Sequence, residues 1–156
     1  MRPLQIGDRP ASESSHFGIV FAPLGGTRPH EAAAWDSLAE PLREDAGLYG
    51  ALDEYGELIG YCCLGEGARP AGLEEDPGLL DVSVVLRPDL RGIGLGALFL
   101  RAVCELGRTL HEPEGFRVSA PAADRAAGRV AAALGFVQSG SYATPEAELA
   151  LFSRLA

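Results

Sequence analysis

The chain has 156 residues, enough for one domain that buries roughly 70% of the surface its unfolded chain would expose, so neither disulfides nor a metal are required to hold it together. Apolar residues make up 47% and charged residues 22%, an ordinary globular balance that excludes disordered and fibrous classes. Asp and Glu total 22 against 13 basic residues, for a formal net charge of -9, which argues against nucleic acid or an anionic membrane as partner and for a cationic one.

A solvated acidic surface that keeps the chain soluble is the plainer account of the same charge. All the basic residues are Arg, with no Lys, and Ala, Gly and Pro are heavily used, a bacterial-like, GC-rich bias. Cys62, Cys63 and Cys104 form no disulfide framework or metal-ligand pair, which suits cytoplasmic thiols and predicts no metal. No apolar run approaches a membrane span, and the opening MRPLQIGDRPASESS has no signal-peptide core, so a soluble cytoplasmic protein is expected.

Residues 1–16 are polar and Pro/Ser-rich and read as a flexible arm, with a single domain over 17–156. The apolar run FGIVFAPL (17–24) predicts a strand, and GGTRPH a turn. EAAAWDSLAEPLRE (31–44) follows as a helix that Pro41 ends or kinks. Two strands around Asp53–Gly56 form a hairpin, the second near 58–64, before the loop ARPAGLEEDPG. LLDVSVVL (79–86) is a strand, RPDLR a short link, and GIGLGALFLRAVCELGRTL a helix whose apolar face is Leu95, Leu98, Phe99, Ala102 and Leu106. FRVSA is a strand, and about 123–134 a second helix, with Ala123, Ala127, Val130 and Leu134 on one side and Gly135 as its stop. FVQSGSY, ATPEAE and LALFSRL read as strand, turn, strand, giving one mixed α/β domain.

The strongest local signal is Arg91, Gly92, Ile93, Gly94, Leu95, Gly96 and Ala97, set between a β-branched strand and an amphipathic helix. Glycines let the backbone approach a bulky anion, and the first helical turn leaves its N–H groups unpaired at the positive end of the dipole. Arg91 adds a charged donor. A Walker-type loop is excluded, because it needs Lys. The dinucleotide pattern G-x-G-x-x-G/A is met by Gly92, Gly94 and Ala97, but the RPDLR link separates it from its strand and FRVSAP offers no acidic residue for a ribose. A glycine-rich turn that merely starts a helix is the bland alternative.

The run Val85, Leu86, Arg87, Pro88, Asp89, Leu90, Arg91, Gly92, Ile93, Gly94, Leu95, Gly96 resembles motif A of the GNAT (Gcn5-related N-acetyltransferase) superfamily, with Leu86 for the usual Val; 118–136, ending Ala-Leu-Gly-Phe, resembles motif B. The resemblance covers about 17 to the C-terminus. It implies an α+β fold, with a mostly antiparallel sheet of six to seven strands, split in a V between the fourth and fifth and flanked by helices. It also implies acetyl-CoA as co-substrate: the backbone of Val84, Val85 and Leu86 pairing with the pantetheine arm, and the amides from Gly92 to Ala97 holding the pyrophosphate.

Three side chains depart from the family pattern. Where N-terminal-acetylating members often carry Glu, Asn and Tyr, this chain has Ser119, Asp124 and Ala131. Asp124 stands at the usual cofactor-side position, but neither Ser119 nor Ala131 supplies the usual base or acid. Asp81 and Ser83 share one face of their strand by alternation and are the candidate catalytic groups, against Asp81 capping a sheet edge or meeting an Arg. Tyr142 is the candidate substitute acid, against an ordinary packing role. His30 and His111 read as solvated, Trp35 and Tyr61 as core or cleft wall, and Glu74, Glu75 and Asp76 as a cation-attracting lip or a plain loop. The expected activity is acetyl transfer to an amine of a small molecule, protein or peptide, weighed against a non-catalytic acyl-CoA sensor or scaffold. The acceptor is expected to be cationic, and a homodimer is compatible with such a domain.

Overall fold

Turn chemistry and apolar alternation build the sheet strand by strand. The structure, a computed structural model, describes residues 14–23, 47–92 and 94–156; the helix expected at 31–44, His30, Trp35, Ile93 and the first part of the arm lie outside them. The strands are β1 (Ser14–His16), β2 (Ile19–Pro23), β3 (Leu48–Leu52), β4 (Leu58–Leu64), β5 (Leu79–Leu86), β6 (Gly115–Pro121), β7 (Val137–Ala143) and β8 (Glu148–Leu155). They form one eight-stranded sheet in the order β1-β2-β3-β4-β5-β6-β8-β7. Among the described residues the α-helices are α1 (Leu95–His111) and α2 (Arg125–Ala133).

The fold class is as expected, with one strand more. β1 falls inside the expected arm and pairs antiparallel with β2 through His16↔Ile19. The two-residue turn between them puts both Phe17 and Gly18 at positive φ, 54° and 81°, the geometry that matches the twist of a hairpin. The β3–β4 hairpin follows its turn signal: Asp53 Oδ1 accepts from the amides of Tyr55 at 2.8 Å and Glu57 at 3.0 Å.

Every neighbouring pair in the sheet is antiparallel except β5 and β6. That parallel ladder runs from Leu79↔Gly115 to Val82↔Val118 and stops. Beyond it, β5 continues beside β4 and β6 beside β8. This is the expected split, between the fourth and fifth strands once the short β1 is set aside.

One face of the sheet carries the main core: α1 lays Phe99, Ala102, Val103 and Leu106 on Phe21, Cys62, Leu64 and Val82, and α2 adds Ala131. Phe99 stacks on Phe21, with centroids 6.3 Å apart and planes 6° from parallel. The buried stripe of α1 differs from the expected one. Leu98 is 40% exposed while Leu100, Val103 and Cys104 are buried, because the helix is covered along its flank as well as by the sheet. On α2, Ala131 is the buried residue, and Ala123 precedes the helix and is exposed. The opposite face of the sheet holds a smaller cluster of Leu48, Tyr61, Cys63, Ala68 and Val85, so Tyr61 is core rather than cleft wall.

Candidate functional site

Where the β5–β6 ladder ends, β5 offers a main-chain edge. Arg87 N donates to Ile59 O at 2.9 Å, and the alternation of an antiparallel pair then turns Val85 and Ser83 toward β4 and Val84 and Leu86 toward the split. Leu86 O is consistent with this, accepting instead from Arg91 Nε at 2.8 Å. Val84, 37% exposed, stands where β6 has moved away. An extended ligand laid there can pair with β5 as an added strand.

The connection to α1 is held rigidly. Arg87 grips Asp89 through Nε at 2.7 Å and Nη2 at 3.2 Å, and Leu58 O through Nη1 at 3.0 Å, across one 3₁₀ turn at Pro88–Leu90. Gly92 and Gly94 have φ of 77° and 85°, a region costly for any residue with a Cβ. A Cβ on either would meet nothing within 4 Å, so these positions border open space. Gly94 is the N-cap of α1, provides no side-chain cap, and no acidic residue sits in the first turn. The N–H groups of Leu95, Gly96 and Ala97 thus keep the positive helix end available to an anion. Gly96 has a second role: its Cα faces α2, where a Cβ would lie 3.2 Å from Val130 Cγ2.

The expected catalytic side chains are placed otherwise. Asp81, 4% exposed, receives Arg117 Nε at 2.7 Å on Oδ1, and Arg117 Nη2 at 3.2 Å and Arg69 Nε at 2.9 Å on Oδ2. Two guanidiniums occupy the lone pairs a base would use, so the ion-pair reading replaces the base reading. Tyr142 is likewise engaged, donating its hydroxyl to Ala71 O at 2.9 Å, which makes it a tie between β7 and the β4–β5 connection rather than a free acid. Ser83 is half-buried on β5 opposite Cys63.

Asp124, expected beside the cofactor, is the N-cap of α2, its Oδ1 accepting from Ala127 N at 3.0 Å. Ser119 is half-buried on β6, and Ala131 is 2% exposed in the core, so neither supplies an ionisable group to the split. Burial pushes the Cys62 thiol well up and the Cys104 thiol up to about 11. Among the described residues, no group of His, Cys, Asp and Glu is arranged to hold a metal ion.

Arg69 and Arg117 are site-shaping residues that the sequence reading passed over. A signal existed in the arginine second in the run FRVSA, since burying it requires a carboxylate on the adjacent strand.

A strand edge left open beside a glycine turn and a bare helix end is the geometry on which known proteins can be compared. The family model described as Acetyltransferase (GNAT) family matches residues 20–136. The chain belongs to this GNAT family. Among solved structures, it is similar to the GNAT-family acetyltransferase from Bacillus anthracis, with a TM-score of 0.69 and 11% identity over 92% of this chain and 98% of that one; this likeness shows the GNAT fold. The aminoglycoside acetyltransferase AAC(6')-Ib, in complex with coenzyme A and kanamycin, is 26% identical over 69% of this chain and 65% of that chain, with a TM-score of 0.57. This chain therefore spans just under two thirds of that enzyme. Mutant forms of the spermidine/spermine N-acetyltransferase SpeG from Vibrio cholerae share the fold at a TM-score of 0.55 and 14% identity, over 69% of this chain and 65% of that one. A search of curated proteins finds no match. No helix among the described residues is long and apolar enough to cross a membrane.

Proposed function

We propose that this GNAT chain is an acetyl-CoA-dependent N-acetyltransferase, and that its acceptor is a cationic amine of a small molecule, protein or peptide. The observation that carries the reading is the end of the β5–β6 ladder at Val82↔Val118, just ahead of the glycine turn and the uncapped start of α1. The backbone of Val84, Val85 and Leu86 would hold the pantetheine arm. Arg91 and the amides of Gly92, Ile93, Gly94, Leu95, Gly96 and Ala97 would hold the pyrophosphate. The complex of the 26% identical aminoglycoside acetyltransferase with coenzyme A and kanamycin supports both halves, and the charge of -9 supports the cationic one.

Acetyl-CoA supplies an activated acyl carbon and a thiolate leaving group. The chain's part is to align that thioester along β5, present the Val84 N–H toward the split where charge develops on the carbonyl oxygen, and admit a deprotonated amine. With Asp81 and Tyr142 both engaged elsewhere, the amine's proton passes to solvent, and Ser83 and Ser119 are the polar side chains nearest the split by register. The same engagement favours a second reading, an acyl-CoA sensor or scaffold without turnover.

The test has two steps. Saturating CoA at about 100 times its Kd raises stability by about 2.7 kcal/mol, read as a Tm shift, and Gly94→Asp lowers CoA affinity at least about tenfold by placing a carboxylate among the amides. Amine-dependent thiol release across an amine panel, with products identified by mass, then separates enzyme from sensor. Unchanged CoA binding in a folded Gly94→Asp variant overturns the site.

A further inference from the structure

The β4–β5 connection does more than join two strands. After the 3₁₀ turn Gly65–Ala68, residues 69–78 leave β4, run out over the far arm of the sheet, and return to start β5. Two sets of contacts tie this excursion down. At its root, Arg69 Nε and Arg117 Nε hold Asp81 at 2.9 and 2.7 Å, while Arg117 Nη2 also donates to Glu74 O at 2.9 Å. Near its tip, the Tyr142 hydroxyl donates to Ala71 O at 2.9 Å.

The register locates these ties relative to the split. Tyr142 pairs with Leu149, which pairs with Pro121. Pro121 lies three residues past Val118, the last residue of β6 paired with β5, or about 10 Å along the strand. The tip is therefore level with the open part of the split, not its closed end. Alternation puts Arg117, Ser119 and Pro121 on one face of β6, and Asp81 and Ser83 on the same face of β5. The helices α1 and α2 pack on the other face. Among the described residues, this face carries the 3₁₀ turn Gly65–Ala68, whose Ala68 packs with Tyr61, Cys63 and Val85, and then the 69–78 segment, bonded to Arg117 and Tyr142.

We propose that the 69–78 segment is the wall against which the acceptor amine is seated, with Tyr142 and the Arg69–Asp81–Arg117 cluster as its positioning residues. This rests on acetyl transfer at the split. The segment fixes where the amine sits, and no proton moves through Tyr142 or Asp81. Loosening the tip weakens capture of the amine while leaving the chemical step and CoA binding alone.

Tyr142→Phe removes the tie and keeps the ring. Gly72→Ala attacks the same tie from the other side, because Gly72 has φ of 85° and a Cβ there would come within 2.5 Å of the Tyr142 hydroxyl. Each variant is expected to raise the amine KM about fivefold or more with kcat and CoA affinity within about twofold, the split that marks lost ground-state binding. Amide hydrogen exchange should accelerate within 69–78, and the pH–rate profile should stay in place. In the double variant, loss of the hydroxyl removes the atom that the added methyl would strike, so the KM effects combine less than multiplicatively. Unchanged amine KM in both variants while 69–78 exchanges faster overturns the proposal. A fall in kcat with a displaced pH profile overturns it too, by making Tyr142 a proton donor. No amine-dependent thiol release from the unaltered chain overturns the acetyl-transfer reading itself, and this inference with it.

Discussion

Asp81 shows how a carboxylate that alternation aims toward a cleft becomes structural once its neighbours are known. Its side chain is 5% exposed and Arg117's is 8%, so the pair is buried, and its value depends on keeping both partners. Asp81→Asn preserves shape but leaves the Arg117 guanidinium without its buried counter-charge and Arg69 with only the exposed Glu75, 3.7 Å away. We expect a loss of about 3 kcal/mol, on the order of 10 °C in Tm for a chain of this size, measured by thermal melts. A catalytic base would instead leave Tm in place and lower kcat about a hundredfold. The backbone geometry of the candidate site was legible in the sequence, because glycine spacing reports directly the left-handed φ that Gly92 and Gly94 adopt. The side-chain half was not. Arg69 and Arg117 reach Asp81 from 12 and 36 residues away, and Ala71 reaches Tyr142 from 71; no local pattern carries such partners.

Between elements, the close approach of α1 and α2 depends on the missing side chain at Gly96. Val130 Cγ2 already lies 3.2 Å from where a Cβ would be, so Gly96→Val drives two further methyls into the helix crossing. The expected cost is about 1–3 kcal/mol, seen as a lower Tm, and Val130→Ala in the same chain should recover part of it. If Tm holds, the crossing is looser than its geometry. Most elements could be read from sequence because each had local cues: Asp53 and Gly56 for the hairpin, period two for β5, an apolar stripe for α1. β1 had none. Ser14, Ser15 and His16 are polar, and the turn after them uses Phe17 and Gly18 rather than the Asn-Gly pair that usually marks such a hairpin. Phe17 sits under the Arg101 guanidinium at 4.6 Å, which anchors β1 to α1 by a contact invisible to periodicity.

At the scale of the molecule, a charge of -9 attracts cations over about a Debye length, roughly 8–10 Å in physiological salt. Raising NaCl from about 20 to about 500 mM should raise the KM of a dicationic amine several-fold and that of a neutral amine hardly at all. Equal salt responses would remove the steering argument. The sheet order has a consequence for how the chain assembles. Among the described strands, β8 follows β7 in the chain, yet it lies between β6 and β7, and it is the strand that pairs with β7. During synthesis, β7 must wait beside an incomplete sheet until residues 148–155 clear the ribosome and slide in as a wedge. Until Glu148–Leu155 pair, the facing edge of β6 and both edges of β7 stand bare, and the arm bearing Tyr142 waits for the strand that follows it in the chain.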